Sequence, residues 1–460
     1  MLFRSEQRAW LVVARAKIEE GMAFWRLAKL TDALTAFDRA RTLYSGVSDK
    51  RGLASALNAI ANIASDQGDL VTTKKTYEDA LALYREIGDK GGMATVLNDL
   101  GVLLKNRGDL RRARKRYDES LAICREIADR HGEARALFNM ALLLWGGPPP
   151  GPLPLYQKAL KIFEELSYKT GQNVVLNEMG VWSNNHGQLP QALDFFNQTL
   201  EISRQTGERG AVALAYWNQA EVLSNLGRLE ESKRSGEQAL AIYRELNLPS
   251  AVAQSHNNLG AVLYRTGDFG AARKEYEEAV RLLTSMGDKK APSESQLGLA
   301  LLDLEEGRPV AVESMVRNLA QQFHEQKATD GEMLGYLALS RCLLRQRKYK
   351  EAQAAIRQAA TLEKSVGRKD LDLQAAILRA RARAGLGDVT GARSALRRVL
   401  SETTKLGYRG LELEARCAAT EIELRTGKSD AARRDLLALA EQSRAEGFGF
   451  VAGEAAAAAK

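Results

Sequence analysis

The sequence predicts an all-α protein, an α-solenoid of about eleven tandem helix-turn-helix units. Three observations support this prediction: a helix-forming composition, a repeat period of 40 residues and a column of glycines at that period. Of the 460 residues, 45% are apolar and only 6% are aromatic, nine are proline, and Ala, Leu, Arg and Glu are abundant. The abundant side chains lose little conformational freedom in a helix, so the composition favours helices over strands.

The clearest repeat signal is a glycine that recurs every 40 residues, with a single 39-residue step. It occupies Gly68, Gly108, Gly147, Gly187, Gly227, Gly267, Gly307, Gly387 and Gly427, while Ala28 and Arg347 fill the two remaining positions. Self-similarity at such a period is typical of stacked supersecondary units. Apolar residues recur at three- and four-residue spacing on both sides of the glycine. This pattern predicts two amphipathic helices per unit, with the glycine ending the first.

Further columns predict how the helices of a unit pack and end. An alanine follows the glycine by five positions, often with an aromatic residue four positions later. The alanines are Ala33, Ala113, Ala192, Ala272, Ala352, Ala392 and Ala432, and the aromatic residues are Phe37, Tyr117, Phe196 and Tyr276. A small residue beside a large one on the same helical face allows neighbouring helices to pack closely. A second glycine column, at Gly88, Gly207, Gly287, Gly367, Gly407 and Gly447, is expected to cap the second helix in a left-handed conformation.

The combined pattern resembles the tetratricopeptide repeat. It reads L-x-x-L-G before the turn, G-D-[LF] at the turn and A-x-x-x-Y-x-x-A after it, and the segment NNLG at 257–260 followed by GDF at 267–269 is a good example. The resemblance covers residues 12–450 and is to the 40-residue variant found in the kinesin light chain, Pins-type proteins and bacterial regulators. It implies a right-handed superhelical α-solenoid.

One continuous solenoid is expected, with two parts of different regularity. Residues 1–330 form the regular repeats 1–8, and residues 331–460 form the divergent, basic repeats 9–11 with a C-terminal helix. The second part has 24 Lys plus Arg against 16 Asp plus Glu, which accounts for the whole net charge of +8. We interpret it as a solvated face, because Arg379, Arg381 and Arg383 alternate with alanines. A surface for an acidic partner is the alternative, and nucleic acid is not favoured.

A proline-rich segment at 146–154, GGPPPGPLP, replaces the helix turn of the fourth repeat. Because proline prevents helix continuation, the second helix of that unit is expected to be short and to start near Pro154. We interpret the segment as a surface loop, with a docking segment or hinge as the alternative. The C-terminal run from Leu436 is expected to end in a fraying helix, with self-association through an exposed apolar end as the alternative.

The sequence contains no pattern typical of catalysis or metal binding. Its cysteines and histidines lack zinc-site spacing, and no serine, histidine and acid share a repeat column. These residues are Cys124, Cys342, Cys417, His131, His186, His256 and His324, and the histidines are interpreted as surface or groove residues. We predict that the chain is not an enzyme and uses no metal, cofactor or small-molecule substrate. Cysteines without a disulfide framework, and no signal peptide or membrane span, predict a cytoplasmic protein.

The first helices are expected to line a concave groove that binds a polypeptide. The predicted groove residues are Asn58, Asn98, Phe138, Asn139, Trp145, Asn177, Trp217, Asn218, Asn257, Asn258 and Tyr264. Asparagine amides can pair with the backbone of an extended peptide, and aromatic side chains can anchor it. The alternative is that the asparagines only cap helices, face solvent or bridge adjacent helices.

Two functions are compatible with this groove. The first is a protein-interaction scaffold or adaptor that binds a peptide or protein segment over repeats two to seven. The second is the sensory module of a bacterial signalling protein, a kinase or transcription regulator, whose effector is not on this chain. A chaperone-cofactor role is disfavoured, because the column of Asn98 contains no lysine.

Overall fold

The computed structural model describes residues 2–147, 149–287, 292–427 and 429–460. Within these ranges the regular structure consists of 23 helices without a strand, which form eleven antiparallel pairs followed by one C-terminal helix. The predicted all-α class and the repeat number are confirmed.

The helices fall into two compact units, Met1–Val175 and Leu176–Lys460. The first contains α1 (Leu2–Arg26), α2 (Leu30–Gly46), α3 (Lys50–Asp66), α4 (Leu70–Glu86), α5 (Lys90–Asn106), α6 (Leu110–Glu126), α7 (Arg130–Leu142) and α8 (Leu153–Glu165). The boundary falls inside α9 (Lys169–Asn185). The second contains α10 (Leu189–Thr206), α11 (Arg209–Asn225), α12 (Leu229–Glu245), α13 (Pro249–Thr266), α14 (Phe269–Ser285), α15 (Pro292–Glu305), α16 (Pro309–Glu325), α17 (Thr329–Arg345), α18 (Tyr349–Val366), α19 (Lys369–Gly385), α20 (Val389–Leu406), α21 (Arg409–Arg425), α22 (Ser429–Ala445) and α23 (Gly449–Ala458). The predicted change of regularity at residue 330 and the single continuous solenoid stay predictions.

A regular unit consists of two 17-residue helices joined by three-residue turns, which gives the 40-residue period. Where an aspartate follows the turn glycine, it explains where the second helix starts. Asp69 and Asp109, for example, accept a hydrogen bond from the backbone amide three residues further on. Such a side chain satisfies an amide that the helix itself leaves unpaired.

Except at Gly147, the described residues of the turn column adopt the left-handed conformation whether or not they are glycine. The φ angle is 78° at Gly68, and it is 56° at Ala28 and 59° at Arg347. The prediction that this column ends the first helix is confirmed. Since a Cβ is strained in this region, Ala28 and Arg347 carry a conformational penalty that glycine avoids.

The small and large columns pack as predicted. A Cβ at Gly101 would lie 2.4 Å from the Tyr117 ring, and a Cβ at Gly180 would lie 2.5 Å from the Phe196 ring. The first helix therefore approaches the aromatic residue of the second closely, and only glycine leaves room for the ring. The alanine column is buried throughout, as at Ala113.

In the fourth unit, α7 and α8 have only 13 residues each. α8 begins at Leu153, next to the predicted Pro154, because proline fits the first turn of a helix but not its interior. The expected short second helix is confirmed. Pro148 lies outside the described residues.

In the first unit, each helix packs mainly against its neighbours in sequence, and alternate first helices such as α3 and α5 also touch. One core cluster joins Tyr77 and Leu81 of α4 to Leu97 and Leu100 of α5. This is the nearest-neighbour packing expected of a solenoid.

In the second unit, the last repeats also pack against the first ones. Leu189 and Phe196 share a core cluster with Tyr408, and Leu229 shares another with Phe448. We call this contact, between the turns after α9, α11 and α13 and the starts of α19, α21 and α23, the seam. The second unit is therefore closed on itself by contacts between residues far apart in the sequence.

Glycine is required along the seam because two stretches of backbone meet there. A Cβ at Gly227 would lie 2.8 Å from Cβ of Arg409, and one at Gly267 would lie 2.9 Å from the carbonyl carbon of Gly449. At the equivalent turn, Gly307, no atom of the described residues lies within 4 Å of that position. At the seam, the glycines of the turn column therefore have a second role: they let the last repeats of the unit approach the turn backbone closely.

The expectation that the C-terminus frays is wrong. α23 is helical, and Phe448, Phe450, Val451 and Ala455 are buried in the core cluster that includes Leu229. Contact with α13 explains this order, because it buries apolar side chains that an isolated terminal helix would expose.

Candidate functional site

Four of the predicted groove asparagines connect neighbouring first helices. The Asn139 amide donates to Oδ1 of Asn98 at 2.9 Å, and the Asn218 amide donates to Oδ1 of Asn177 at 2.7 Å. In each pair the residues are 41 positions apart, so the bond joins one repeat to the next. These four asparagines therefore bridge helices, which was the alternative considered from the sequence.

The first unit contains five of the predicted residues. The Asn58 amide lies 3.4 Å from Oδ2 of Asp99. The other carboxylate oxygen of Asp99, Oδ1, accepts from the Asn98 amide. Burial raises the pKa of Asp99, although Arg135 and the two amides act in the opposite direction. Asp99 thus anchors a polar cluster on the first helices, although it was not among the predicted groove residues.

The two aromatic residues predicted in the first unit are half-buried. The Phe138 ring lies 5.5 Å from the Tyr156 ring, and Trp145 lies just after α7, in the proline-rich turn. Phe138 therefore packs between the two helices of the short pair, and Trp145 lies in their connection.

The second unit encloses a cavity of about 500 Å³. Its wall is formed largely by first helices, from α11 to α21, and by α23 at the seam. Four of the predicted residues line this cavity: Trp217, Asn257, Asn258 and Tyr264. Asn177 and Asn218 do not belong to its lining.

The cavity wall presents polar groups beside apolar ones. The Trp217 indole and the Asn258 amide are half-buried and form no hydrogen bond with any side chain of the described ranges, whereas Oδ1 of Asn257 accepts from Ser295 at 3.0 Å. Leu297 and Leu301 lie on the same wall. A concave, largely apolar space with a few unsatisfied polar groups is typical of a ligand site.

Tyr264 is less available to a ligand than predicted. Its hydroxyl donates to Glu305 at 3.2 Å, and its ring lies 4.9 Å from the ring of Phe450. Burial raises the pKa of Tyr264 well above its ordinary value, and the charge of Glu305 adds to this. Tyr264 therefore fixes α23 against α13 while one face lines the cavity.

Charged residues on the wall were not predicted as site residues. Within the described ranges they comprise five carboxylates, Glu221, Glu294, Asp330, Asp370 and Glu414, and three guanidinium groups, Arg265, Arg341 and Arg368. Arg341 pairs with Glu414 at 2.7 Å, and Arg368 pairs with Asp370 at 2.8 Å and lies 3.4 Å from Glu221. The available signal was the placement of these residues on first helices or directly before them.

Next to the cavity, Glu454 of α23 lies among arginines. Its carboxylate is 3.3 Å from Arg345 and 3.3 Å from Arg381. Burial alone would raise the pKa of Glu454, but Arg381, Arg341 and Arg345 together lower it to about 2. The carboxylate is therefore ionised at neutral pH and holds α23 in place by charge as well as by apolar contact.

The interpretation of the basic C-terminal part as a solvated face is wrong for Arg381. Its side chain is only 19% exposed, because it lies between Glu454 and Glu421. Arg379 and Arg383 are more exposed; Arg379 pairs with Glu363 of the preceding repeat and Arg383 with Asp388 of its own repeat. One arginine of the run that alternates with alanine, Arg381, therefore lies inside the closed unit.

The placement of His256 also differs from expectation. It is buried rather than at the surface or in the groove, and its Nδ1 lies 2.6 Å from Glu275.

All three cysteines are buried and free. Among the described residues, no group of His, Cys, Asp and Glu side chains is arranged to hold a metal ion. In the same ranges, none of the helices is long and apolar enough to cross a membrane.

The chain is similar in fold to solved bacterial structures. They include aspartyl phosphate phosphatase F from Bacillus subtilis, with a TM-score of 0.55, 12% identity and coverage of 76% of this chain and 94% of that one. The apo form of RapI has a TM-score of 0.51, 16% identity and coverage of 74% and 98%. The Rap conjugation gene regulator of plasmid pLS20, in complex with the Phr* peptide, has a TM-score of 0.50, 14% identity and coverage of 77% and 95%. At these identities the similarity concerns the fold alone.

Sequence comparison gives a family. No curated protein sequence matches the chain significantly. A family model described as "Tetratricopeptide repeat" matches residues 92–146, 171–245 and 211–285, and a second model with the same description matches residues 337–405. Together with the helix pairs and the turn columns, these matches show that the chain belongs to the tetratricopeptide repeat family.

Proposed function

We propose that this chain is a non-catalytic binding protein that holds a peptide, or an extended segment of a partner protein, in the cavity of its second unit. The observation that carries the proposal is the half-buried pair Trp217 and Asn258, whose polar groups face a cavity of about 500 Å³ without a partner among the described side chains. No cofactor is required for such binding.

The chemistry of the wall suits a polypeptide. A side-chain amide such as that of Asn258 offers both donors and acceptors, and a peptide backbone presents the complementary groups. Trp217 on α11 and Asn258 on α13 belong to successive repeats, so the wall offers polar contacts at the spacing of the repeat. The cavity volume lies within the roughly 300–1,000 Å³ of ordinary ligand sites.

The proposal assigns ligand contact to fewer residues than were predicted from the sequence. We assign ligand contact to Trp217, Asn257 and Asn258, with one face of Tyr264 as an apolar support. Asn98, Asn139, Asn177 and Asn218 are assigned to bridging between repeats. For Asn58, Phe138 and Trp145, contact with a ligand stays a prediction.

A second candidate function is the sensory module of a signalling system. It is favoured by the seam, because α23 contributes both to the cavity wall and to closure of the unit. A ligand that contacts Phe450 or Val451 would therefore change the stability of the closed form.

We also propose that the protein is cytoplasmic, which the three buried free cysteines support. The proposal does not include nucleic-acid binding.

The test is retention of synthetic peptides by the full chain. A mixed hexapeptide library is incubated with the wild-type chain, with Asn257→Ala/Asn258→Ala and with Asn318→Ala, and the peptides that elute with protein are identified by mass spectrometry. Asn318 is exposed on α16 and provides the matched control. We expect retention by wild type and control and a loss of at least about tenfold in the cavity variant. Equal retention by all three chains would exclude the cavity as the site.

A further inference from the structure

Two carboxylates on the cavity wall differ from the other three. Within the described ranges, Glu294 and Asp330 form neither an ion pair nor a hydrogen bond, whereas the remaining acidic residues of the wall lie in ion pairs with Arg341 or Arg368. Lys289 lies outside the described residues, as does Lys290.

The two carboxylates come from successive first helices. Glu294 lies in the first turn of α15 and Asp330 in the first turn of α17. Their side chains are exposed to the open space of the cavity, but protein surrounds that space on several sides. Burial raises the pKa of Glu294, and the charge of Asp330 raises it further, while Arg368 acts in the opposite direction. Burial also raises the pKa of Asp330, against the charge of Arg368 and with that of Asp370. A cation between them would relieve the repulsion and the loss of hydration.

The rest of the wall is consistent with a cationic ligand. Five carboxylates and three guanidinium groups leave the described lining with a formal charge of −2. Leu297 and Leu301 lie on the helix of Glu294, and Leu334 lies on the helix of Asp330. The wall therefore places aliphatic contacts beside the unpaired charges. Lys and Arg side chains combine an aliphatic stem with a cationic end.

We propose that the cavity selects a segment that carries a basic side chain, with the ammonium or guanidinium group between Glu294 and Asp330 and its aliphatic stem on Leu297 and Leu334. This inference rests on the proposed peptide-binding function and specifies the charge of its ligand. Asn258 would pair with the backbone of the same segment.

The test uses hexapeptide pools with blocked termini, each with one fixed residue: Arg, Lys, Glu, Asp or Leu. Binding of each fluorescent pool to the full chain is measured by polarisation. Glu294→Gln/Asp330→Asn removes the two carboxylates and keeps their shape. Glu237→Gln/Glu277→Gln removes two exposed carboxylates of the same unit that form no ion pair among the described residues, so net charge is matched.

We expect the wild-type chain and the control to bind the Arg and Lys pools about tenfold more tightly than the Glu and Asp pools, and Glu294→Gln/Asp330→Asn to lose that preference. If the wild type binds peptides without preferring basic ones, or if the preference survives in the cavity variant, the inference is wrong while peptide binding stands. If the wild type binds none of the pools, the proposed function itself fails.

Discussion

Replacement of Gly267 by alanine tests whether the seam holds α23 in place. The substitution introduces two penalties. The first is the left-handed conformation, with φ of 79°, which costs about 1–2 kcal/mol for a residue with a Cβ. The second is steric, because the new Cβ would lie 2.9 Å from the carbonyl carbon and 3.0 Å from Cα of Gly449. Since backbone rather than a flexible side chain must move, we add about 1–3 kcal/mol.

Gly307→Ala provides the matched control. Its φ is 86° in the equivalent turn, and within the described part of the chain no atom lies within 4 Å of the added Cβ. We therefore expect both variants to lose about 1–2 kcal/mol of unfolding free energy in urea, and Gly267→Ala to lose about 1–3 kcal/mol more. In hydrogen exchange followed by mass spectrometry, only Gly267→Ala should lose protection in α23. Equal destabilisation of the two variants with unchanged protection of α23 would refute the role of the seam.

Three further predictions concern single side chains. Arg347→Gly should raise the free energy of unfolding by about 1 kcal/mol in urea titration, since it removes left-handed strain at a φ of 59°; Arg347→Ala should not. Glu454→Gln should lower it by about 3–5 kcal/mol, because it removes the carboxylate nearest to the buried guanidinium of Arg381. Because the folded pKa of Glu454 is lowered to about 2 from 4.5, its contribution should be present above about pH 4.5 and lost as pH falls towards 2, so acid unfolding should be shallower in Glu454→Gln. Burial raises the pKa of Cys417 to about 12, so iodoacetamide should label it near pH 8 only after unfolding, as mass spectrometry can check.

The repeat architecture was predictable because each unit repeats the same local signals. The turn glycines, the aspartate caps and the facing small and large residues all act within one helix pair, so a single sequence displays them. The short α8 was predictable for the same reason, from the position of Pro154. None of these features required knowledge of a distant contact.

The closure of the second unit was not predicted, because it joins residues such as Asn184 and Tyr408 that are more than 200 positions apart. In sequence, Gly227 looks like Gly307, although only Gly227 meets another part of the chain. One signal was available. The position before the first helix is aspartate in early repeats, as at Asp89, but Tyr408 and Phe448 occupy it where the chain packs back on itself.

The candidate site was partly predictable. Asn98 and Asn258 occupy neighbouring positions of the same helical face, and both were predicted to lie in the groove. The structure separates them through the residue 41 positions away. For Asn98 this is Asn139, further along the chain, and the two amides pair. Asn258 occupies the position of Asn139 in its own repeat, and its counterpart, 41 positions earlier, is Trp217, which carries no amide. A comparison at this offset would have distinguished bridging asparagines from free ones.

The seam also bears on how the second unit unfolds. In an open array of repeats, unfolding can begin at an end and progress one repeat at a time, because each repeat depends only on its neighbours. In a closed array the terminal repeats are tied to the first ones, so loss of α23 exposes the turns after α11 and α13 as well. We therefore expect residues 176–460 to melt in a single cooperative transition. Their refolding should be slow for an all-helical chain, because the contacts that close it join its most distant parts.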